Sequence, residues 1–179
     1  MTEQQSSITK KSKYWPFLWL ALAAIFILFS NGKWNIPVAT WLFLIFALRF
    51  WRTQPLKRGF IMFWLVSIVP IYFSWQGIVP FSGIGYFIFV VIGSLFYPSI
   101  FLIDGLVAPR LKGFVSTLVF PLAWVTMQYI MTIASPYSSF GSLAYTQYGN
   151  LSLLQILSVT GLSGITFLLA WFASVVNWA

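Results

Sequence analysis

The sequence contains no cysteine and no histidine among its 179 residues, and only two acidic residues, Glu3 and Asp104. Without cysteine there is no disulfide and no thiolate nucleophile, and without histidine the usual base of a serine-based catalytic triad is missing. Charged residues make up 7% of the chain, whereas soluble globular domains carry about 25% to cover their water-facing surface. These scarcities exclude an ordinary soluble enzyme and predict neither a metal site nor a cofactor.

Apolar residues, by contrast, make up 60% of the chain and aromatic residues 21%. A membrane-spanning helix needs about 20 mostly apolar residues, and six stretches approach that length. The sequence therefore predicts an all-α polytopic membrane protein with about six transmembrane helices in one domain, residues 14–179. The helices are expected near residues 14–29, 37–51, 59–75, 81–103, 111–133 and 151–176, and the first two are short enough to form a shallow hairpin instead. The polar segment 1–13 is predicted to be a disordered cytoplasmic tail.

The ten basic residues, which give a net charge of +8, are distributed unevenly between the predicted helices. On this topology nine of them lie on one side of the membrane, and Lys33 alone lies on the other. Positive residues mark the cytoplasmic side, so the N-terminus is expected in the cytoplasm and no nucleic-acid partner is required. The nine residues are Lys10, Lys11, Lys13, Arg49, Arg52, Lys57, Arg58, Arg110 and Lys112.

Asp104 is the only acidic residue outside the N-terminal tail. A carboxylate that relays protons is expected in the middle of a transmembrane helix, but Asp104 lies at the end of the predicted fourth helix. We therefore expect an ion pair with Arg110 or Lys112, close to the cytoplasmic surface.

The segment Ala134–Asn150 has no charged residue in 17 positions, yet it is rich in aromatic, small and hydrogen-bonding side chains. The predicted topology places it on the outer face. Two interpretations remain open: the loop dips into the membrane interface and contacts lipid, or it is a packed surface loop anchored by its tyrosines. In the flanking helices, Gln128 and Gln155 are expected to bond to a neighbouring helix, as amides in hydrocarbon do.

The order of several short motifs resembles the bacterial apolipoprotein N-acyltransferase family. The motifs are FPLAW at 120–124, FGSLAYTQ at 140–147, LQ at 154–155 and G-x-x-G-x-x-F-L at 161–168. The resemblance extends to the tight turn after Phe29-Ser30, the basic, proline-containing loop 52–58 and the aromatic helix end at Trp75. Three positions depart from the family pattern: Gln128 replaces a glutamate, Gly141-Ser142 replaces Pro-Trp, and Ala144 replaces a glycine.

The resemblance implies a multi-pass protein of the bacterial inner membrane. The family moves an acyl chain from a phospholipid to a lipoprotein, using a Glu-Lys-Cys triad in a nitrilase-like domain. Because this chain has no cysteine, we expect the membrane part of such a protein, a fragment that binds lipid without catalysing transfer alone. The expected partners are a membrane phospholipid and, in a full-length protein, a lipoprotein acceptor. Candidate lipid contacts are Tyr145, Gln147 and Gln155 near the head group, with Trp75 and Phe140 as apolar walls.

Two other hypotheses fit parts of the sequence. A six-helix substrate-binding subunit of a membrane transporter agrees with the size and orientation, although the first helix lacks the A-x-x-x-A packing motif typical of such subunits. A rhomboid-like pseudoenzyme rests on Trp51-Arg52 and on the G-x-S-G match at 161–164. An active rhomboid protease is excluded because its serine needs a histidine base.

Overall fold

The computed structural model describes the backbone of residues 3–178 and the side chains of residues 14–178, and within this range the protein is helical with no strand. The predicted tail 1–13 thus falls outside the residues whose side chains are described. The α-helices, in chain order, are α1 (Glu3–Ser30), α2 (Pro37–Arg52), α3 (Leu56–Trp75), α4 (Gly83–Gly93), α5 (Phe96–Val107), α6 (Val119–Ala134), α7 (Leu151–Leu154) and α8 (Leu157–Val176). Short 3-10 helices cover Ala108–Arg110, Gly113–Leu118 and Leu143–Gln147.

Four helical stretches of the described chain are long and apolar enough to cross a membrane. The apolar part of α1, Tyr14–Ser30, is shorter than these four, and α2 has only 16 residues. The all-helical prediction is therefore confirmed, while the number of spans is established only to this coarser level. The four stretches are Leu56–Trp75, Gly83–Arg110, Gly113–Ala134 and Leu157–Val176.

The prediction of one continuous helix over residues 81–103 is wrong, because the structure has two helices there, α4 and α5. The break falls at Ser94 and Leu95. Pro98, in the first turn of α5, lacks an N–H group, and its ring collides with a helical carbonyl four residues earlier. That carbonyl belongs to Ser94, so the proline accounts for the end of α4 at this point.

The segments predicted at 111–133 and 151–176 are also interrupted. The first opens as the 3-10 helix Gly113–Leu118, and α6 begins just before Pro121, a position near a helix start that proline tolerates. The second consists of α7 and α8, and α8 is kinked at Gly161. Gly161 has φ 63° and ψ −168°, a conformation open to glycine and strained for any other residue.

The core of the bundle is built around aromatic rings from four helices. Phe101 on α5 is fully buried and lies 5.0 Å, centroid to centroid, from both Phe63 on α3 and Phe120 on α6. The Trp51 ring of α2 and the Trp124 ring of α6 lie 5.8 and 6.1 Å from Phe101. Tilted and edge-to-face pairs at these distances are favourable beyond the area they bury, so α5 is held between α2, α3 and α6.

Asp104 pairs with Arg52, and the expected pairing with Arg110 or Lys112 is wrong. Arg52 donates from Nε to Asp104 Oδ2 and from Nη2 to Asp104 Oδ1, both at 3.3 Å, and Nη2 also donates to Ser174 Oγ at 3.3 Å. The guanidinium of Arg110, in the 3-10 helix that follows α5, donates instead to the carbonyl of Leu106 near the end of α5. The ion pair thus joins the ends of α2, α5 and α8. Asp104 is 1% exposed, so its carboxylate is buried rather than at the surface.

We expect Arg52→Gln to destabilise the protein by about 3 kcal/mol, because it leaves the buried Asp104 carboxylate without a cation. Unfolding of the purified protein in a mild detergent, followed by circular dichroism as denaturant is added, measures the change. The double variant Arg52→Gln/Asp104→Asn should recover much of the loss.

Arg49→Gln is the matched control, since Arg49 is exposed and lies over the Trp19 ring at 5.4 Å. Its loss should cost less than about 1 kcal/mol. An equal loss of stability in the two arginine variants would show that the Asp104 pair has no special role.

Candidate functional site

The α1–α2 turn, the end of α3 and the loop 134–150 meet at one end of the bundle, which we call the loop end. The backbone N–H of Lys33 donates to the Ser74 carbonyl at 2.9 Å. A Cβ at Gly32, where φ is 93°, would lie 2.3 Å from the same carbonyl oxygen. Only glycine permits this turn to approach α3 so closely. The opposite end, where Arg52 and Asp104 lie, we call the basic end.

Two asparagines of the α1–α2 turn hold the backbone of the loop. Asn31 donates from Nδ2 to the Gly141 carbonyl at 3.3 Å, and Asn35 donates from Nδ2 to the Thr146 carbonyl at 3.1 Å. Their partners are more than 100 positions away in the chain. The uncharged loop is therefore attached to the bundle by hydrogen bonds with neutral groups.

Gln147 is buried beneath the loop, and its amide is fully engaged inside the protein. It donates from Nε2 to the Pro37 carbonyl and to Thr146 Oγ1, each at 3.0 Å. It accepts from the Trp41 indole N–H at 3.0 Å. With only 1% of the residue exposed, Gln147 connects the loop to α2, and its amide does not reach the surface.

Gln128 carries a second connection, and the expectation that it bonds to a neighbouring helix is confirmed. Thr166 on α8 donates to Gln128 Oε1 at 3.2 Å, and Gln128 donates from Nε2 to Ser142 Oγ at 2.6 Å. Ser142 Oγ in turn accepts from the backbone N–H of Ala144. Gln128 therefore links α6 and α8 to the start of the 3-10 helix in the loop, a role its place in the sequence does not reveal.

The surface of the loop end is aromatic. The Trp75 and Phe140 rings meet edge to face, with centroids 5.2 Å apart, and Phe140 is 53% exposed. Tyr145 is half exposed, and its hydroxyl shares a 2.7 Å hydrogen bond with Ser139 Oγ. Part of the loop is thus packed against the bundle while several of its aromatic side chains remain at the surface, and contact of these side chains with lipid stays a prediction.

Gln155 stands apart from the other predicted residues. It lies between α7 and α8, it is exposed, and its side chain makes no hydrogen bond within the described part of the chain. The expectation that Gln155 bonds to a neighbouring helix is therefore wrong, because its side chain lies at the surface of the described chain.

An apolar groove of about 360 Å³ runs between α2 and α8, and sequence reasoning missed it because three separate segments form its walls. Two of its tryptophans have satisfied N–H groups: Trp41 donates to Gln147 Oε1, and Trp171 donates to Thr117 Oγ1 at 3.2 Å. The surface that they present to the groove is therefore apolar. One lining residue, Trp41, is hydrogen-bonded to Gln147 of the loop, so a wall of the groove is joined to the loop at that point. Its lining residues are Trp41, Phe114, Leu168, Trp171, Phe172 and Val175.

The described residues hold no group of three or more histidine, cysteine, aspartate or glutamate side chains that could bind a metal ion. The chemistry available at the loop end is therefore that of hydroxyl groups, amides, aromatic rings and the Lys33 amine. Such groups position a ligand by hydrogen bonds and apolar contact.

The fold and the site define a helical protein of membrane type with an uncharged aromatic loop at one end. The sequence-family model of the apolipoprotein N-acyltransferase N-terminal domain matches residues 8–175. The chain therefore belongs to this family. The resemblance stated from the motifs is confirmed, and the family does not favour a transporter subunit.

A similar protein is the apolipoprotein N-acyltransferase of Geobacter metallireducens, which is 30% identical over 156 residues. The match covers 87% of this chain and 27% of the relative, so the chain spans about a quarter of the length of that protein. No solved structure matches the chain.

We expect Gln147→Leu to destabilise the protein by about 2 kcal/mol, because the Trp41 indole N–H and the Pro37 carbonyl lose their buried partner. Amide hydrogen exchange should accelerate in residues 143–147, since the loop loses its attachment to α2. Thermal unfolding and exchange followed by mass spectrometry measure the two effects.

Gln155→Leu makes the same chemical change at an exposed position and should alter stability by less than about 0.5 kcal/mol. If the two variants behave alike, the buried amide does not hold the loop.

Proposed function

We propose that this chain is the membrane-embedded, lipid-binding part of an apolipoprotein N-acyltransferase-like protein. The observation that carries the proposal is the apolar groove between α2 and α8, one of whose lining residues, Trp41, is hydrogen-bonded to Gln147 of the loop. A phospholipid has a polar head and apolar chains, and this arrangement offers a matching surface for each.

The acyl chain occupies the groove in this proposal. Transfer of a chain from the bilayer into a protein groove removes little apolar surface from water, since the surrounding lipid is already apolar. Packing against the rings of Trp41, Trp171 and Phe172 is then the main source of attraction. The groove alone therefore discriminates weakly between lipids, and the head-group contacts at the loop end determine which lipid is oriented correctly.

The head group lies against the loop in the same proposal. The Tyr145 hydroxyl donates a hydrogen bond to a phosphate or ester oxygen, and Trp75 and Phe140 form the apolar wall beside it. Gln155 is a further polar contact at the edge of this site. Because Gln147 is buried, its role is to hold the loop in position, and a lipid is not required to touch it.

The proposed topology places the basic end in the cytoplasm and the loop on the outer face of a bacterial inner membrane. Six spans, with α4 and α5 forming one broken span, return both chain ends to the cytoplasmic side. The support is the charge asymmetry: nine basic residues belong to one side and Lys33 to the other.

The chain is proposed to orient lipid without catalysing transfer by itself. It has no cysteine and no histidine, and Asp104 is buried at the basic end against Arg52. The cysteine and the glutamate of the family's Glu-Lys-Cys triad therefore have no counterpart at the loop end within the described chain. In the proposed function, a phospholipid is the acyl donor and a lipoprotein is the acceptor in the complete acyltransferase.

The topology can be tested directly because the chain has no native cysteine. Single-cysteine variants Tyr148→Cys at the loop end and Lys57→Cys at the basic end place one thiol on each side. In intact spheroplasts, a membrane-impermeant maleimide should label only Tyr148→Cys. Labelling of Lys57→Cys should require permeabilised cells, and the reverse pattern would contradict the proposed orientation.

The lipid-binding role predicts that a phospholipid with a photoreactive group in its acyl chain crosslinks to the groove. Leu168→Trp fills the groove with a bulky ring and should abolish most of this crosslinking, as measured by peptide mass spectrometry.

Ile84→Trp is the matched control, because Ile84 is 80% exposed on α4, away from the groove. It adds the same side chain and should leave crosslinking in the groove unchanged. Equal labelling of the groove peptides in both variants would argue against a lipid chain at this position.

A further inference from the structure

A second cleft, of about 490 Å³, opens at the basic end, on the far side of the bundle from the loop. The α2–α3 connection, the end of α5 and the 3-10 helix Gly113–Leu118 form its walls. Its lining combines hydrogen-bonding groups with apolar ones, so the cleft suits an amphipathic ligand. The lining residues are Trp51, Arg52, Gln54, Pro55, Leu56, Asp104, Gly105, Ala108, Pro109 and Ser116.

Arg52 enters this cleft as a pre-oriented cation. Its Nε and Nη2 groups are held by Asp104 and Ser174, while Nη1 makes no hydrogen bond to another described residue. The side chain is 28% exposed, against 1% for Asp104. The carboxylate thus fixes the guanidinium from the buried side and leaves donors on the open side, where a planar guanidinium is well suited to bind phosphate.

Trp51 supplies an independent observation. It lines the same cleft, it is 2% exposed, and its Nε1 is the one buried side-chain nitrogen or oxygen without a hydrogen-bond partner in the described chain. Buried donors are almost always paired in native proteins. A Cβ on Gly105 would lie 2.7 Å from this nitrogen and 2.4 Å from a methyl of Leu56. The indole therefore packs directly against the backbone of α5, which only a glycine at position 105 permits.

The surroundings of the cleft are strongly basic. Six cations lie at this end of the described chain and only one carboxylate, which Arg52 already neutralises. The resulting positive potential attracts anions, and basic pockets between membrane helices bind anionic lipid head groups. The apolar walls and limited volume suit one head group with the start of its acyl chains better than a nucleic acid. The six cations are Arg49, Arg52, Lys57, Arg58, Arg110 and Lys112.

We propose that this cleft binds the phosphate of an anionic phospholipid head group, with Arg52 and the Trp51 indole N–H as donors. The apolar walls formed by Leu56, Pro109 and their neighbours contact the glycerol and the first methylenes of the acyl chains. The site is separate from the lipid site at the loop end and does not depend on it. It holds a lipid of the leaflet at the basic end, where that lipid joins α2, α3 and α5.

The test uses the full chain in nanodiscs of phosphatidylcholine that contain a minor fraction of phosphatidylglycerol. Native mass spectrometry measures which lipid remains bound after release from the disc. The wild-type protein should retain phosphatidylglycerol in preference to phosphatidylcholine. Equal retention of the two lipids would overturn the proposal.

Three variants examine the site. Arg52→Gln should weaken phosphatidylglycerol binding by about tenfold, as expected for loss of a charged hydrogen-bond donor. Trp51→Phe keeps an aromatic ring but removes the N–H and should weaken binding by about threefold. Ser116→Trp fills the cleft from its open side and should abolish the preference. The last two leave the Arg52–Asp104 pair intact, so they test the site even if Arg52→Gln fails to fold.

Arg49→Gln is the matched charge control, since it removes one cation at the same end but outside the cleft. It should leave the preference for phosphatidylglycerol unchanged. A loss equal to that of Arg52→Gln would show general attraction by the basic surface and overturn the proposal. Displacement of the bound lipid by millimolar inorganic phosphate would overturn the lipid assignment and show that a free anion suffices.

Discussion

The constraint on which the structure depends is that polar groups within an apolar bundle must find their partners inside the protein. A membrane offers no water to an unpaired amide or charge, so each such group is costly unless another part of the chain satisfies it. Gln147 illustrates the consequence, because its amide joins the loop to α2 through two hydrogen bonds and makes a third to Thr146 within the loop. Interior residues with long polar side chains, such as Gln147 and Arg52, are therefore points at which distant segments are connected.

The two ends of the bundle meet this constraint with different chemistry. At the loop end, neutral donors such as Asn31 and Asn35 hold backbone carbonyls, so the aromatic loop is held there without an ion pair. At the basic end, an arginine and a buried carboxylate join three helices. Removal of one charge from a buried pair is more costly than loss of a neutral hydrogen bond. The basic end is accordingly the more sensitive to single substitutions.

Hydropathy and charge in the sequence were sufficient to predict the all-helical class, and the α2 boundaries agree with the structure within one residue at its end. The helix interruptions depend on single residues that hydropathy does not register: Pro98 divides one predicted helix, and Gly161 kinks another. The partner of Asp104 was missed for a different reason. Arg110 is near Asp104 in sequence, but its side chain donates to the Leu106 carbonyl, whereas Arg52 lies on a helix more than 50 residues earlier in the chain.

The sequence was sufficient to predict the exposed aromatic part of the candidate site, but not the groove or the buried position of Gln147. Aromatic and amide residues in an uncharged loop indicated a polar–apolar boundary, and the rings of Trp75 and Phe140 do meet there. The groove could not be anticipated, because Trp41 and Trp171 become neighbours only when α2 packs against α8. The same packing buries Gln147. At each end, a buried polar residue holds a more exposed partner in position. Gln147 holds Trp41 at the loop side of the groove, and Asp104 holds Arg52 at the basic end.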